Sequence, residues 1–177
     1  MIHRAAASLP LALPVLALAA LLAPAPARAD ACDALAARLI RTTGASFVGR
    51  EGSLAVFRAA DAERMSLDCG APRRMAVLSR EREPDRPYYA LVGLAAGTLA
   101  GARPAEAEAL ALRLHQDSLL TGLPQQGRAG PIVMRCATGD RADGFSDGTL
   151  CRMAVARQER HAPLRRRAGL SGGAGPG

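Results

Sequence analysis

Apolar residues recur along the chain first with the period of a helix and then with the period of a strand. In residues 30–43 they fall three or four positions apart, with Asp30 placed as a cap and Gly44 just past the end. This pattern predicts a helix with one buried stripe. Alternation of apolar and polar residues then predicts strands in 54–57, 64–69 and 74–79. The apolar pair Phe47-Val48 suggests one more strand ahead of them.

The second half of the chain contains two helical segments and a hairpin pattern. The charged stretch 80–86 predicts a solvated loop. Prolines at the starts of 87–102 and 104–121 favour a helix over each of these ranges, because proline is well tolerated in the first helical turn. Alternation returns in 132–137 and 149–156 and predicts a β-hairpin.

Together these elements predict a single α+β domain over residues 30–156. Its expected order is an N-terminal helix, a three- to four-strand antiparallel meander, a helical hairpin and a C-terminal β-hairpin, with the helices on one face of the sheet. A segment of this length is enough for one domain and too short for two of ordinary size.

Gly93, Gly97 and Gly101 are spaced by four in the first helix of the helical hairpin. In a membrane such a row is typical of a dimer face, but the apolar run falls short of the ~20 residues needed to span a bilayer. The spacing therefore favours close packing of this helix against its neighbour.

Residues 1–29 have the features of a secretory signal peptide. Arg4 lies near the amino terminus, an apolar run occupies residues 9–22, and Ala27-Arg28-Ala29 matches the small-x-small cleavage pattern. We expect cleavage between Ala29 and Asp30, and a mature chain that is periplasmic or extracellular.

Two other interpretations of this segment fit less well. Pro10 and Pro14 interrupt the apolar run, which disfavours a permanent membrane-spanning helix. Acylation of Cys32 after cleavage would need small apolar residues before the cysteine, where Arg28 and Asp30 stand.

All four cysteines follow the expected cleavage site, and an even number in an exported chain predicts disulfides. Cys32 falls on the apolar stripe of the first helix, and Cys69 on the apolar face of a strand. Cys136 and Cys151 fall on the apolar faces of the two hairpin strands. The sequence therefore predicts the pairs Cys32–Cys69 and Cys136–Cys151. The wide spacing and the lack of a C-x-x-C motif disfavour a structural zinc site and a thioredoxin-like redox centre.

The formal charge of +7 is unevenly distributed. Subtracting the +2 of residues 1–29 and the +4 of residues 157–177 leaves +1 for residues 30–156. All 23 basic residues are arginine, a composition bias that makes any single arginine weak evidence of function. Aromatic residues make up only 3% of the chain, which disfavours a stacking platform for nucleic acid.

Residues 157–177 lose the alternation and end in a glycine-rich run, which predicts a disordered tail. Arg165, Arg166 and Arg167 in this tail are weak candidates for contact with an anionic surface. The alternative is a solvated charge run that binds nothing.

His115-Gln116-Asp117-Ser118 contains the residue types of a hydrolytic triad. On a helix His115 and Ser118 can touch, but Asp117 points away from both, and there is no glycine-flanked nucleophile elbow. We therefore assign no catalytic residue from the sequence.

Two groups of carboxylates invite a binding interpretation. The loop 139–148 has three aspartates, but neither their spacing nor Arg141 among them fits an EF-hand, and Asp-Gly pairs are common in turns. Glu106 and Glu108 lie in a first helical turn and point in different directions, which favours a structural role over glycosidase chemistry. We expect no metal and no cofactor.

The sequence thus predicts a small exported, disulfide-stabilised protein that acts by binding or as an envelope accessory. Its partner is expected to be a protein or envelope component and not a nucleic acid, and the mature chain is expected to have no transmembrane segment. The alternative is an exported hydrolase that uses His115 with groups brought together by folding. A third interpretation is a tail that tethers the domain to anionic envelope polymer.

Overall fold

The computed structural model describes residues 27–139 and 148–156. Within these ranges the chain forms three helices and seven strands. The helices are α1 (Ala27–Thr43), α2 (Arg86–Ala100) and α3 (Pro104–Thr121). The strands are β1 (Ser46–Glu51), β2 (Leu54–Ala59), β3 (Ala62–Asp68), β4 (Arg74–Ser79), β5 (Gln125–Ala129), β6 (Ile132–Gly139) and β7 (Gly148–Val155).

The strands of the described ranges form one antiparallel sheet with the order β1-β2-β3-β4-β7-β6-β5. The first four strands make a meander, the helical hairpin follows, and the last three strands make a second meander. The second meander returns to the first by pairing β7 with β4. The predicted α+β class, with an N-terminal helix, a four-strand meander and a helical hairpin, is confirmed.

The helices pack on one face of the sheet, as predicted. There α3 lies against β5 and β6, α2 lies over β4 and β7, and α1 packs on α2. Alternate strand side chains point into this layer and form the core. The largest of them are each at most 2% exposed: Phe57, Met65, Leu67, Met75, Val77, Ile132, Met134 and Met153. The opposite face of the sheet is not covered by any helix of the described ranges.

Tyr88 connects α2 to the two central strands of the sheet, β4 and β7. Its hydroxyl donates to the carbonyl of Val77 in β4 at 2.9 Å and lies 3.4 Å from the carbonyl of Thr149 in β7. Burial raises the pKa of this hydroxyl far above its ordinary value, so it stays a donor at any physiological pH. The two meanders are therefore joined beneath α2 by the β4–β7 ladder and by this side chain.

Both predicted disulfides are confirmed. Cys32 of α1 pairs with Cys69, just past the end of β3, with the two Cα atoms 5.8 Å apart. Cys136 and Cys151 are directly opposite each other in the β6–β7 ladder, with Cα atoms 4.1 Å apart. The first bridge ties the N-terminal helix to the first meander, and the second lies inside the second meander.

The predicted close packing of α2 against its neighbour is present at Gly93 and Gly97. A Cβ on Gly93 would lie 2.5 Å from the Pro104 carbonyl oxygen, and one on Gly97 would lie 3.1 Å from the Ala102 carbonyl oxygen. Gly101 has a different role, because it ends α2 with φ at 73°. None of the described helices combines the length and the apolar character required to cross a membrane.

The sequence predicted a two-strand hairpin at the C-terminal end. The structure has a third strand, β5, before it, so the three strands form a meander. The sequence of β5 has few apolar residues, since this strand pairs only with β6 and lies at the edge of the sheet. Gly127 in β5 lets α3 approach closely, because a Cβ there would lie 2.7 Å from Cδ1 of Leu110. The helix α1 also begins at Ala27, ahead of the predicted start at Asp30.

Several predictions concern residues outside the described ranges. They are most of the signal peptide, the aspartate-containing segment 140–147, and the tail 157–177 with Arg165, Arg166 and Arg167. These stay predictions.

Candidate functional site

His115 lies in the middle of α3 and is only 3% exposed. Its Nε2 atom lies 2.8 Å from the backbone carbonyl oxygen of Arg82, in the segment between β4 and α2. A carbonyl oxygen can only accept, so Nε2 carries the hydrogen. The imidazole also packs edge-on against Tyr89, with ring centroids 5.4 Å apart.

The Arg82 carbonyl accepts a second hydrogen bond, from Oγ1 of Thr149 at 2.8 Å. Thr149 lies in β7 and is fully buried. One carbonyl thus connects the β4–α2 segment to α3 and to the sheet. We call the Arg82 carbonyl, His115 and Thr149 the Arg82 clasp. Its geometry is that of a structural tie.

The other members of the His115–Ser118 cluster are used elsewhere. Ser118 Oγ lies 3.2 Å from Oγ1 of Thr138 and accepts from the Thr138 backbone N–H at 3.1 Å. Asp117 is exposed, and its backbone carbonyl accepts from the Thr121 hydroxyl at 2.8 Å. The fold therefore does not assemble these neighbours into a nucleophile, base and acid.

A cleft of about 750 Å³ lies between the 83–86 segment and α3, and His115 and Tyr89 line it. Carboxylates line the same cleft, but Glu108 lies 3.4 Å from Nε of Arg86 as an ion pair. Burial and then the negative charge of Glu83 raise the pKa of Tyr89 above its ordinary value, which keeps its hydroxyl protonated. Among the described residues, the imidazole of His115 is hydrogen-bonded to the Arg82 carbonyl and to no carboxylate or hydroxyl.

The remaining candidates are also in structural contacts. Glu106 pairs with Arg103, whereas Glu108 pairs with Arg86, so each glutamate is held by its own arginine. In ranges 27–139 and 148–156 no three His, Cys, Asp or Glu side chains come together as a group that could hold a metal ion. The aspartates of 140–147 lie outside those ranges.

The most distinctive surface is the open sheet face, by which we mean the outward-pointing side chains of β2 to β7 on the side away from the helices. Arginines dominate the charged positions on this face among the described residues: Arg58, Arg64, Arg74, Arg128, Arg135 and Arg152. Asp68 is the one acid at these positions. The face is therefore strongly basic, although residues 30–156 as a whole are nearly neutral.

Arg135 and Arg152 are direct cross-strand partners in the β6–β7 ladder. Arg152 in turn faces Ala76 of β4, so Arg74 lies diagonally beside it on the same face. Both Arg135 and Arg152 are exposed. The ion pairs seen within the described ranges use other arginines: Arg50, Arg80, Arg86 and Arg103.

Asp68 lies on the same face, opposite Arg74 in the β3–β4 ladder. Its Oδ1 accepts from the Gly70 backbone N–H and from the Ser53 hydroxyl, each at 2.9 Å. These hydrogen bonds, with a smaller contribution from the Arg74 charge, hold the pKa of Asp68 below its ordinary value. Asp68 is thus ionised, and its charge is already engaged by its neighbours.

A shallow depression of about 390 Å³ lies at the centre of the open sheet face. Small side chains are found at its middle strands (Ser66, Ala76 and Ala154), and longer ones surround them (Leu54, Arg74, Val133, Arg135 and Arg152). Strand alternation places Arg135 and Arg152 on the side opposite Cys136 and Cys151, but the pattern alone gives these arginines no role. Their pairing could have been inferred from the sequence, because a disulfide between Cys136 and Cys151 places the neighbouring arginines opposite each other on the two strands.

Comparisons of this chain with models of protein families, with curated proteins and with solved structures gave no significant match.

Proposed function

We propose that this chain is an exported, disulfide-stabilised protein that acts by binding, and that the open sheet face is its interaction surface. The observation that carries the proposal is the asymmetry of the sheet. The helices of the described ranges all pack on one face, with α2 and α3 over β4 to β7, whereas the other face exposes arginines around a depression of about 390 Å³. Exposed surface of mixed apolar and like-charged character is typical of interaction sites.

Export is supported by the N-terminal sequence and by the cysteines. The pattern in residues 1–29 is that of a signal peptide, and all four cysteines of the chain are paired. Stable structural disulfides form in oxidising compartments. Mass spectrometry of the exported protein should find Asp30 as the first residue. A retained Met1, or a lipid on Cys32, would contradict this.

The hydrolase alternative is not supported by the geometry at His115. Nε2 donates to the Arg82 carbonyl, which leaves the lone pair of the neutral ring on Nδ1, and Ser118 bonds to Thr138 instead of to the imidazole. General base catalysis needs a lone pair aimed at the nucleophile, with an acid that orients the ring. The contacts of His115 suit the Arg82 clasp better.

A bulky side chain in the depression should block binding of any partner, whatever its charge, and so tests the binding proposal. Ala76→Trp should fill the depression, and the mature oxidised protein should then fail to retain a partner that the wild type captures from the exported fraction. Leu120→Trp is the matched control, since Leu120 is on α3 and 85% exposed. Equal capture by wild type and Ala76→Trp would refute the open sheet face as the binding surface.

A further inference from the structure

We infer that the partner bound at the open sheet face is an acidic polypeptide segment, whose carboxylates are held by Arg135 and Arg152. This inference rests on the proposed function and names the chemistry of its partner. It begins from the cross-strand arginine pair, which is unfavourable in the free protein. Like charges directly opposite each other on neighbouring strands repel.

The pair is not compensated within the described part of the chain. Neither Arg135 nor Arg152 takes part in an ion pair there, and Asp68 is engaged by Ser53, Gly70 and the charge of Arg74. A ligand that brings carboxylates to the arginine pair would therefore replace repulsion by attraction. Planar guanidinium groups are suited to this, because each can donate two parallel hydrogen bonds to one carboxylate.

The surroundings of the pair favour a polypeptide over other anions. Leu54 and Val133 border the depression and offer apolar contacts to aliphatic parts of a ligand. The outward positions of β2 to β7 carry no aromatic side chain on which bases stack, so nucleic acid is disfavoured. A flat bilayer would meet the long side chains at the rim before the recessed centre. A narrow chain with carboxylates at one end of the site fits both the shape and the charges.

The test uses the mature, oxidised protein and fluorescence anisotropy. The probe is a fluorescein-labelled peptide of alternating glutamate and valine, and its partner control has glutamine in place of glutamate. Arg135→Gln/Arg152→Gln should weaken binding of the acidic peptide by about tenfold or more, as expected for loss of charge-assisted bidentate contacts. The glutamine peptide should bind the wild type at least about tenfold more weakly than the acidic peptide.

Arg41→Gln/Arg113→Gln is the matched control, because it removes the same charge from exposed positions on α1 and α3. This variant should bind the acidic peptide within about twofold of the wild type, since exposed charges at a distance are screened. The Arg135→Gln/Arg152→Gln variant should resist denaturant at least as well as the wild type, because it relieves a repulsion. Loss of binding then cannot be ascribed to unfolding.

Three results would overturn the inference. They are equal weakening in both double variants, equal affinity for the two peptides, and binding to phosphatidylglycerol vesicles through Arg135 and Arg152 without binding to the peptide. These failures differ from failure of the proposed function. If Ala76→Trp abolishes capture and Arg135→Gln/Arg152→Gln does not, the face binds a partner that is not acidic. If neither substitution affects capture, the face is not the binding surface.

Discussion

Arg135 and Arg152 are distinguished from the other arginines by their position in the sheet and not by composition. In a chain whose 23 basic residues are all arginine, no single guanidinium stands out. Strand alternation places both side chains outward, and the β6–β7 ladder then places them opposite each other. At the residue scale, their significance lies in this pairing of like charges without an acidic partner among the described residues.

The Arg82 clasp leads to a prediction about His115. His115→Ala should lower the free energy of unfolding by about 2 kcal/mol, through loss of a buried hydrogen bond and of the contact with Tyr89. Urea denaturation measures the change. Gln116→Ala, at the exposed neighbouring position, is the control and should leave the stability unchanged. Equal stability of the His115 variant and the wild type would show that the clasp contributes nothing.

The lowered pKa of Asp68 predicts that the stability of the protein depends on pH. Its pKa in the folded chain is below the ordinary 3.8, so its contribution to stability is complete above that value and is lost as pH falls through the lower folded value. Asp68→Asn should therefore be less stable than the wild type near neutral pH, and the difference should shrink in acid. Denaturation series over the range from about pH 7 to about pH 2.5 measure it. A difference that stays constant over this range would contradict the assignment.

At the scale of elements, periodicity predicted nearly every helix and strand that has a buried face. The alternation in β3, β4, β6 and β7 follows from their central positions, where one side packs on helices. The edge strand β5 escaped prediction because its single pairing and its close contact with α3 at Gly127 need little apolar side-chain area. The predicted Cys136–Cys151 bridge implied the pairing of Arg135 with Arg152, but the rest of the open sheet face could not be predicted, because the order of the strands cannot be derived from the period of one segment.

The contact between α2 and α3 gives a prediction at this scale. Gly93→Ala should lower the free energy of unfolding by about 1–2 kcal/mol, since the added Cβ would lie 2.5 Å from the Pro104 carbonyl oxygen and 3.2 Å from Cβ of Glu108. This strain outweighs the gain of ~1 kcal/mol that alanine normally brings to a helix. Thermal or urea denaturation measures the difference.

The control for this substitution is Gly49→Ala in β1, where an added Cβ meets nothing within 4 Å. It should leave the stability within about 0.5 kcal/mol of the wild type. If Gly93→Ala stabilises the protein, the helices do not pack as closely as described.

At the scale of the whole molecule, the disulfides and the exposed arginines lie on opposite sides of the sheet. Cys32–Cys69 and Cys136–Cys151 both lie on the helix-covered side of the sheet, with three of the four cysteines buried. The positive charge of the described domain is concentrated on the opposite face. The disulfides and the core therefore stabilise the fold on the covered side, and the proposed binding surface is the open side.

The disulfides predict a strong dependence of stability on redox state. On the chain-entropy model, sequence separations of 37 and 15 correspond to about 4 and about 3 kcal/mol. Such sums are a large part of the roughly 5–15 kcal/mol typical of a domain. Full reduction should shift the urea midpoint to a much lower concentration. An unchanged midpoint would show that the bridges are dispensable for the fold.

The central claim, that the open sheet face is the binding surface, is tested most directly by site-specific photo-crosslinking. A photoreactive amino acid at Ala154, beside the central depression, should give discrete adducts with another molecule in the exported fraction. The same amino acid at Leu120, exposed on α3, should give none. Adducts from Leu120 with none from Ala154 would contradict the account.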